Sequence, residues 1–139
     1  MACHFSLISN WNDPMKPRIA ITHGDPSGIG PELVAKLLNE PDLPVLADVM
    51  LIGDRHVFEL GQSQAGVQWP IRELDPKQLG NWQEGDNFAL LPMETIAPEE
   101  IQIAEVTEAG GRASLRSLDR AIDLTNDGHT DGILFAPFN

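Results

Sequence analysis

The chain has 139 residues, enough for one modest domain, and its 21 acidic against 9 basic side chains give a formal net charge of -12. That balance argues against a nucleic-acid surface or attachment to an anionic membrane, and no apolar run approaches the length that spans a bilayer. The lone cysteine, Cys3, excludes an internal disulfide and fits a reducing, cytoplasmic setting.

Residues 1–14 look foreign to the rest of the chain. They lack a basic start, and their apolar stretch is too short for a signal peptide. Met15 stands directly before Lys16 and Pro17, so residues 1–14 read as a disordered tail or a misplaced start, and residues 15–139 as the domain. A strand is predicted over 18–23 and a helix over 31–39, closed by Pro41, Asp42 and Pro44. A near-continuous apolar strand occupies 47–52, with Asp48 near its start. Next comes a short helix to about residue 64, anchored by Val57, Phe58 and Leu60, with Asp54 as its N-cap. Short strands are expected over 69–74 and 88–91, whereas 76–86 and 98–108 resist assignment. From about Gly111 the pattern is helical, with Leu115, Leu118, Ala121, Ile122 and Thr125 on the apolar side, until Asn126, Asp127 and Gly128 stop it. The run from Asp131 to Asn139 reads as a buried strand ending in a loop, with no helix after it to cover one face.

The most informative stretch joins the first strand to the first helix: Ile-Ala-Ile-Thr-His-Gly-Asp-Pro-Ser-Gly-Ile-Gly-Pro-Glu over residues 19–32. Gly24, Gly28 and Gly30 permit positive φ angles or the close approach of another backbone or a ligand. Pro31 suits a first helical turn, and Glu32 suits the positive end of the helix dipole. A strand–loop–helix of this kind presents N–H groups at the carboxyl end of a sheet, where α/β proteins bind ligands. It is not a P-loop, because Pro31 and Glu32 stand where Lys and Ser or Thr are needed, nor a dinucleotide fingerprint, because the third glycine is missing. Asp54, at the end of the second strand, could mimic a ribose-gripping acid but reads better as a helix cap. A tight turn without a ligand is the plain alternative for the whole loop.

The remaining candidates are weaker. His4 lies in the leader, His56 on a solvent-facing helix position, and His129 in a turn; His23 abuts the loop as a strand-end imidazole. Their spacing suggests no metal site. Trp11, Trp69 and Trp82 are scattered, as packing or loop residues are.

Two motifs taken together carry a resemblance. His23-Gly-Asp-Pro-Ser-Gly-Ile-Gly-Pro-Glu32 and the later Gly132-Ile-Leu-Phe-Ala-Pro-Phe-Asn139 resemble the 4-hydroxythreonine-4-phosphate dehydrogenase family of vitamin B6 biosynthesis. Leu51-Ile-Gly-Asp54 also fits, and the resemblance runs from Met15 to Asn139. Ser27 stands where the family commonly has alanine, and His23 where methionine is usual.

The resemblance implies an α/β fold, a three-layer α/β/α architecture like the isocitrate and isopropylmalate dehydrogenases, incomplete at the C-terminus. Family members run more than twice as far, and their metal-binding histidines, Gly-His-Thr-Glu segment and phosphate-binding basic residues lie beyond this chain, which is read as an amino-terminal fragment. The implied activity is NAD-dependent oxidation, then decarboxylation, of 4-phosphohydroxy-L-threonine by a homodimer using a divalent metal (Zn, Mg or Co). In this chain Gly28, Ile29 and Gly30 would form a cleft loop near the cofactor. Asp25 and Asn139 would be substrate contacts, with Asp25 alternatively capping its own turn, and no catalytic or metal residue is assigned. Paralogous dehydrogenases of threonate or erythronate phosphate or of an aromatic cis-dihydrodiol share the opening loop. A non-catalytic module that binds a phosphorylated metabolite is the reading from another class.

Overall fold

The computed structural model describes residues 16–82 and 87–138; the expected leader, Met15 and Asn139 lie outside the described residues. Five strands form one sheet: β1 (Arg18–Thr22), β2 (Asp48–Gly53), β3 (Arg72–Glu73), β4 (Phe88–Pro92) and β5 (Gly132–Phe135). Their spatial order is β3-β4-β2-β1-β5, and every pairing is parallel. Three longer helices connect them: α1 (Gly30–Leu38), α2 (Arg55–Ala65) and α3 (Glu108–Asn126).

Strand alternation builds two cores. Ile21, Val49, Leu51 and Leu90 face Val34 and Leu38 of α1 and Phe58 of α2. Ala20, Met50, Ile52, Ala89 and Leu91 face the other way, onto Ala121 and Leu124 of α3 and onto Trp82. The result is the expected three-layer α/β/α arrangement. Residues of β2 are buried throughout, because both faces of this inner strand are covered, and that explains its unbroken apolar run. Asp48, with a fully buried side chain, accepts from the N–H of Asn87 (2.8 Å) and pairs with Lys16 (3.1 Å), tying the start of β2 to the start of β4.

Three expectations are corrected. Helix α3 begins at Glu108, ahead of Gly111, because Thr107 caps it: its Oγ1 accepts from the N–H of Gly110 at 3.0 Å. The buried stripe of that helix is Ala113, Ser114, Ser117, Ala121 and Leu124, whereas Leu115 and Ile122 are exposed. Most of this stripe is small, with Leu124 as its one large apolar side chain, so the contact face does not follow the largest apolar residues of the helix. The run ending at Asn139, expected as a buried strand, is an outer strand among the described residues: β5 pairs with β1 alone, and Leu134 and Phe135 are exposed.

Helices α1 and α2 pack through bare backbone. A Cβ placed on Gly61 would lie 2.2 Å from the carbonyl oxygen of Pro31. Alanine is normally favoured over glycine inside a helix by about 1 kcal/mol, but here the added methyl must push the helices apart. Gly61→Ala should therefore lower stability by about 1 to 3 kcal/mol in denaturant unfolding; an unchanged or raised midpoint would contradict this packing.

Candidate functional site

The turn after β1 is organised by its own side chains. Asp25 is only 2% exposed, and its Oδ1 accepts from the N–H of Ser27 at 2.9 Å. The Asp25 carbonyl accepts from the N–H of Gly28 at 3.0 Å. This is the self-capping geometry that short acidic side chains adopt in turns. Ser27 ties the turn outward: its Oγ accepts from the N–H of Gln102 (3.1 Å), and its carbonyl accepts from the N–H of Ala104 (2.8 Å). The Ser27 hydroxyl thus makes a bond that the alanine expected from the resemblance would lack.

Two glycines fit the turn to its surroundings. Gly24 has φ +69°, and a Cβ there would lie 2.4 Å from the carbonyl oxygen of Pro137. Gly30 opens α1 without a positive φ; its requirement is space, since a Cβ would lie 1.8 Å from the carbonyl oxygen of His23. The N–H of Asp25 donates to Pro137 O at 3.3 Å, so the turn and the segment after β5 stand side by side at the carboxyl ends of adjacent strands. Gly28 is half-buried and Ile29 is 60% exposed, and these two positions present the turn to solvent. Asn139, the other expected substrate contact, lies outside the described residues.

The sequence reading misses the part played by Asp54. It occupies the N-cap position of α2, yet its side chain does not cap that helix. Instead, the buried carboxylate accepts from the N–H of Thr95 (2.9 Å), Thr95 Oγ1 (2.7 Å) and the N–H of Ile96 (3.1 Å). It fastens the segment after β4 to the end of β2. The only advance sign is an acid directly after a buried strand; its partners lie about forty residues away in sequence, where no local spacing rule reaches.

Helices α2 and α3, which follow β2 and β4, pack on opposite faces of the sheet, so the carboxyl ends of these strands flank a crevice. It holds about 390 Å³ and is lined by Asp54, His56, Glu94, Thr95 and Glu100 among others. His56, expected to face solvent, is half-buried there. The acidic rim is unsuited to a phosphate. A second groove, of about 140 Å³, runs between α1 and β5 and is lined by apolar residues, including Leu33, Leu37 and Phe135. Among the described residues, no three His, Cys, Asp or Glu side chains converge as a metal site would require.

His23 sits beneath the turn. It is 4% exposed, and neither ring nitrogen has a hydrogen-bond partner among the described residues. A Cβ on Gly53 would lie 2.6 Å from His23 Cδ2, so that glycine makes room for the imidazole. Burial pushes the His23 pKa down from 6.5 to about 4, opposed in part by the negative charge of Asp54. The folded state therefore prefers the neutral ring. Its stabilisation is complete above pH 6.5 and is lost as the pH falls through 6.5 toward 4. Between neutral pH and pH 4, the chain should lose about 3 kcal/mol more stability than His23→Met. Parallel pH profiles for the two proteins would show that the ring is not buried in neutral form.

The comparisons with known proteins agree with this architecture. The family described as "Pyridoxal phosphate biosynthetic protein PdxA" matches residues 45–139. A Pseudomonas aeruginosa protein provisionally named 4-hydroxythreonine-4-phosphate dehydrogenase 2 is 38% identical over 128 residues, covering 92% of this chain and 38% of that protein. The 4-hydroxythreonine-4-phosphate dehydrogenase of Geobacter metallireducens is 32% identical, covering 89% of this chain and 36% of its own. A Clostridium botulinum protein provisionally named D-threonate 4-phosphate dehydrogenase is 29% identical, with coverages of 89% and 37%. In fold, the chain superposes on a 4-hydroxythreonine-4-phosphate dehydrogenase from Burkholderia phymatum with a TM-score of 0.76 at 24% identity, over 89% of this chain and 37% of that one. The chain thus spans little more than a third of the length of the curated relatives it matches. With the family match running through most of the sheet and all of α2 and α3, this chain belongs to the PdxA family of pyridoxal phosphate biosynthetic proteins.

Proposed function

We propose that this chain forms the amino-terminal wall of the active-site cleft in a cytoplasmic, homodimeric, NAD-dependent dehydrogenase that oxidises and decarboxylates 4-phosphohydroxy-L-threonine during pyridoxal 5'-phosphate biosynthesis. The observation that carries the reading is the juxtaposition of the 24–30 turn and the 136–138 segment at the carboxyl ends of β1 and β5, held by the Asp25–Pro137 backbone bond. The names of the relatives supply the substrate.

NAD would accept the hydride from the secondary alcohol, leaving a 3-oxo acid prone to lose carbon dioxide. The turn fits a flat ring or sugar laid against backbone, because Gly28 has no side chain and Ile29 projects into solvent. It does not fit a pyrophosphate cradle: the N–H groups of Ser27 and Gly28 are already given to Asp25. The described residues do not by themselves fit a divalent metal. In this reading Gly28, Ile29 and Gly30 shape the cleft floor and exclude water from one side of the reacting carbon. Asp25 positions that floor from below, acting through the turn it closes, and Asn139, outside the described residues, is proposed as a substrate contact.

A second reading, oxidation of D-threonate 4-phosphate, is favoured by the name of the Clostridium relative. The test is NADH formation by the protein encoded in the complete reading frame and by the 139-residue chain, each offered both phosphorylated substrates. The proposal expects turnover of 4-phosphohydroxy-threonine by the former and none by the latter, because one wall cannot fix the geometry of hydride transfer. Activity on the threonate phosphate alone would replace the first reading with the second. Turnover by the 139-residue chain would contradict the division of the cleft, and binding of either substrate by the complete protein without turnover would favour a non-catalytic module.

A further inference from the structure

A small polar cavity lies under the turn, where the ends of β1 and β2, the segment after β4 and helix α3 meet. His23, Gly53, Asp54, Thr95, Ala113 and Ser117 form most of its wall, and it holds about 10 Å³. That volume suits one water molecule and nothing larger. We propose that it is a built site for a single internal water, which His23 holds and which joins the 24–30 turn to the 93–97 segment and to α3.

The hydrogen-bonding inventory supports this assignment. A neutral imidazole carries one donor and one acceptor. Both nitrogens of His23 are buried, and neither meets a protein partner among the described residues. Gly53, lacking a Cβ, leaves room for the ring on its Cδ2 side, and the ring sits there without a protein partner among the described residues. Leaving a ring nitrogen dry is costlier than ordering one water between it and its polar neighbours. The opposite wall is polar. Thr95 Oγ1 donates to Asp54 (2.7 Å) and keeps its acceptor capacity. Asp54 is the charged group that faces the ring, and Ser117, 7% exposed, brings a hydroxyl from α3. A water here has the two to four polar neighbours that ordered internal waters require, roughly as in other proteins. A metal ion does not fit the same place, since no third ligating side chain converges on it among the described residues.

The consequence is mechanical. Without the water, His23 is only a filler beneath the turn. With it, the ring becomes a junction that links Asp54 and its clasp on Thr95 to the base of the turn.

A crystal structure of the chain at a resolution that shows ordered solvent tests the assignment. The expected result is one density peak within hydrogen-bonding distance of a His23 ring nitrogen and of Asp54, Thr95 or Ser117, lost in His23→Met. In solution, nitrogen-15 shifts of the ring should show a single neutral tautomer, with a cross-relaxation signal to a long-lived water. A dry cavity in the original protein, or a ring turned onto a protein acceptor, would overturn the proposal. So would an even mixture of tautomers with no water signal. The readouts on the original protein stand whether or not the substituted protein folds.

Discussion

The strand-end region depends on one steric fact: the backbone of Gly30 lies against the carbonyl of His23, where no side chain could stand. That contact folds the chain back on itself after β1 and sets the direction in which α1 leaves. The same turn brings Gly24 beneath Pro137, so β5 must end where it does for both backbones to fit. Glycine serves here mainly by its size, because only Gly24 of the three loop glycines adopts a positive φ among the described residues.

Side-chain bonds then fix what the close packing allows. Asp25 closes the turn from inside, Ser27 ties it to the 102–104 segment, and Asp54 clasps the segment after β4. A buried carboxylate with several donors is stable only while all are in place, since losing one partner leaves a desolvated charge or an unpaired N–H. The elements around the turn are therefore coupled, and Gly28 and Ile29 present a preset surface to solvent. In the proposed dehydrogenase, preset geometry of this kind would serve hydride transfer. A loop that had to order itself on binding would spend binding energy on doing so.

Local signals in the sequence are strong wherever one residue type answers one local need. The β1–turn–α1 unit is legible because strand alternation, glycines and an early proline agree along one short stretch. β2 is legible because an inner strand is apolar on both faces. The three-layer fold comes from the resemblance and is matched by the sheet order and the two cores. The contact face of α3 is legible only at Ala121, since the periodic pattern also follows Leu115 and Ile122, whereas packing selects Ala113, Ser114, Ser117 and Leu124. β5 reads as buried from its composition, whereas among the described residues it has β1 as its one neighbour. Asp54 reads as a cap because its position is right for one; the donors that claim it come from a distant segment. His23 and Ser27 stand out in the sequence only as departures from the family pattern, yet both shape what lies beneath or beside the turn.

The most direct measurement is the unfolding free energy of Gly30→Ala, together with hydrogen exchange at Asp25 and Ala136. A methyl at this position meets a main-chain oxygen at 1.8 Å, with no flexible side-chain end to give way. Stability should fall by about 3 kcal/mol, with faster exchange at both amides as the turn and the β5 end separate. A change within about 0.5 kcal/mol and unaltered exchange would mean that the turn tolerates a side chain there, and that the close backbone contact does not hold the cleft wall in place.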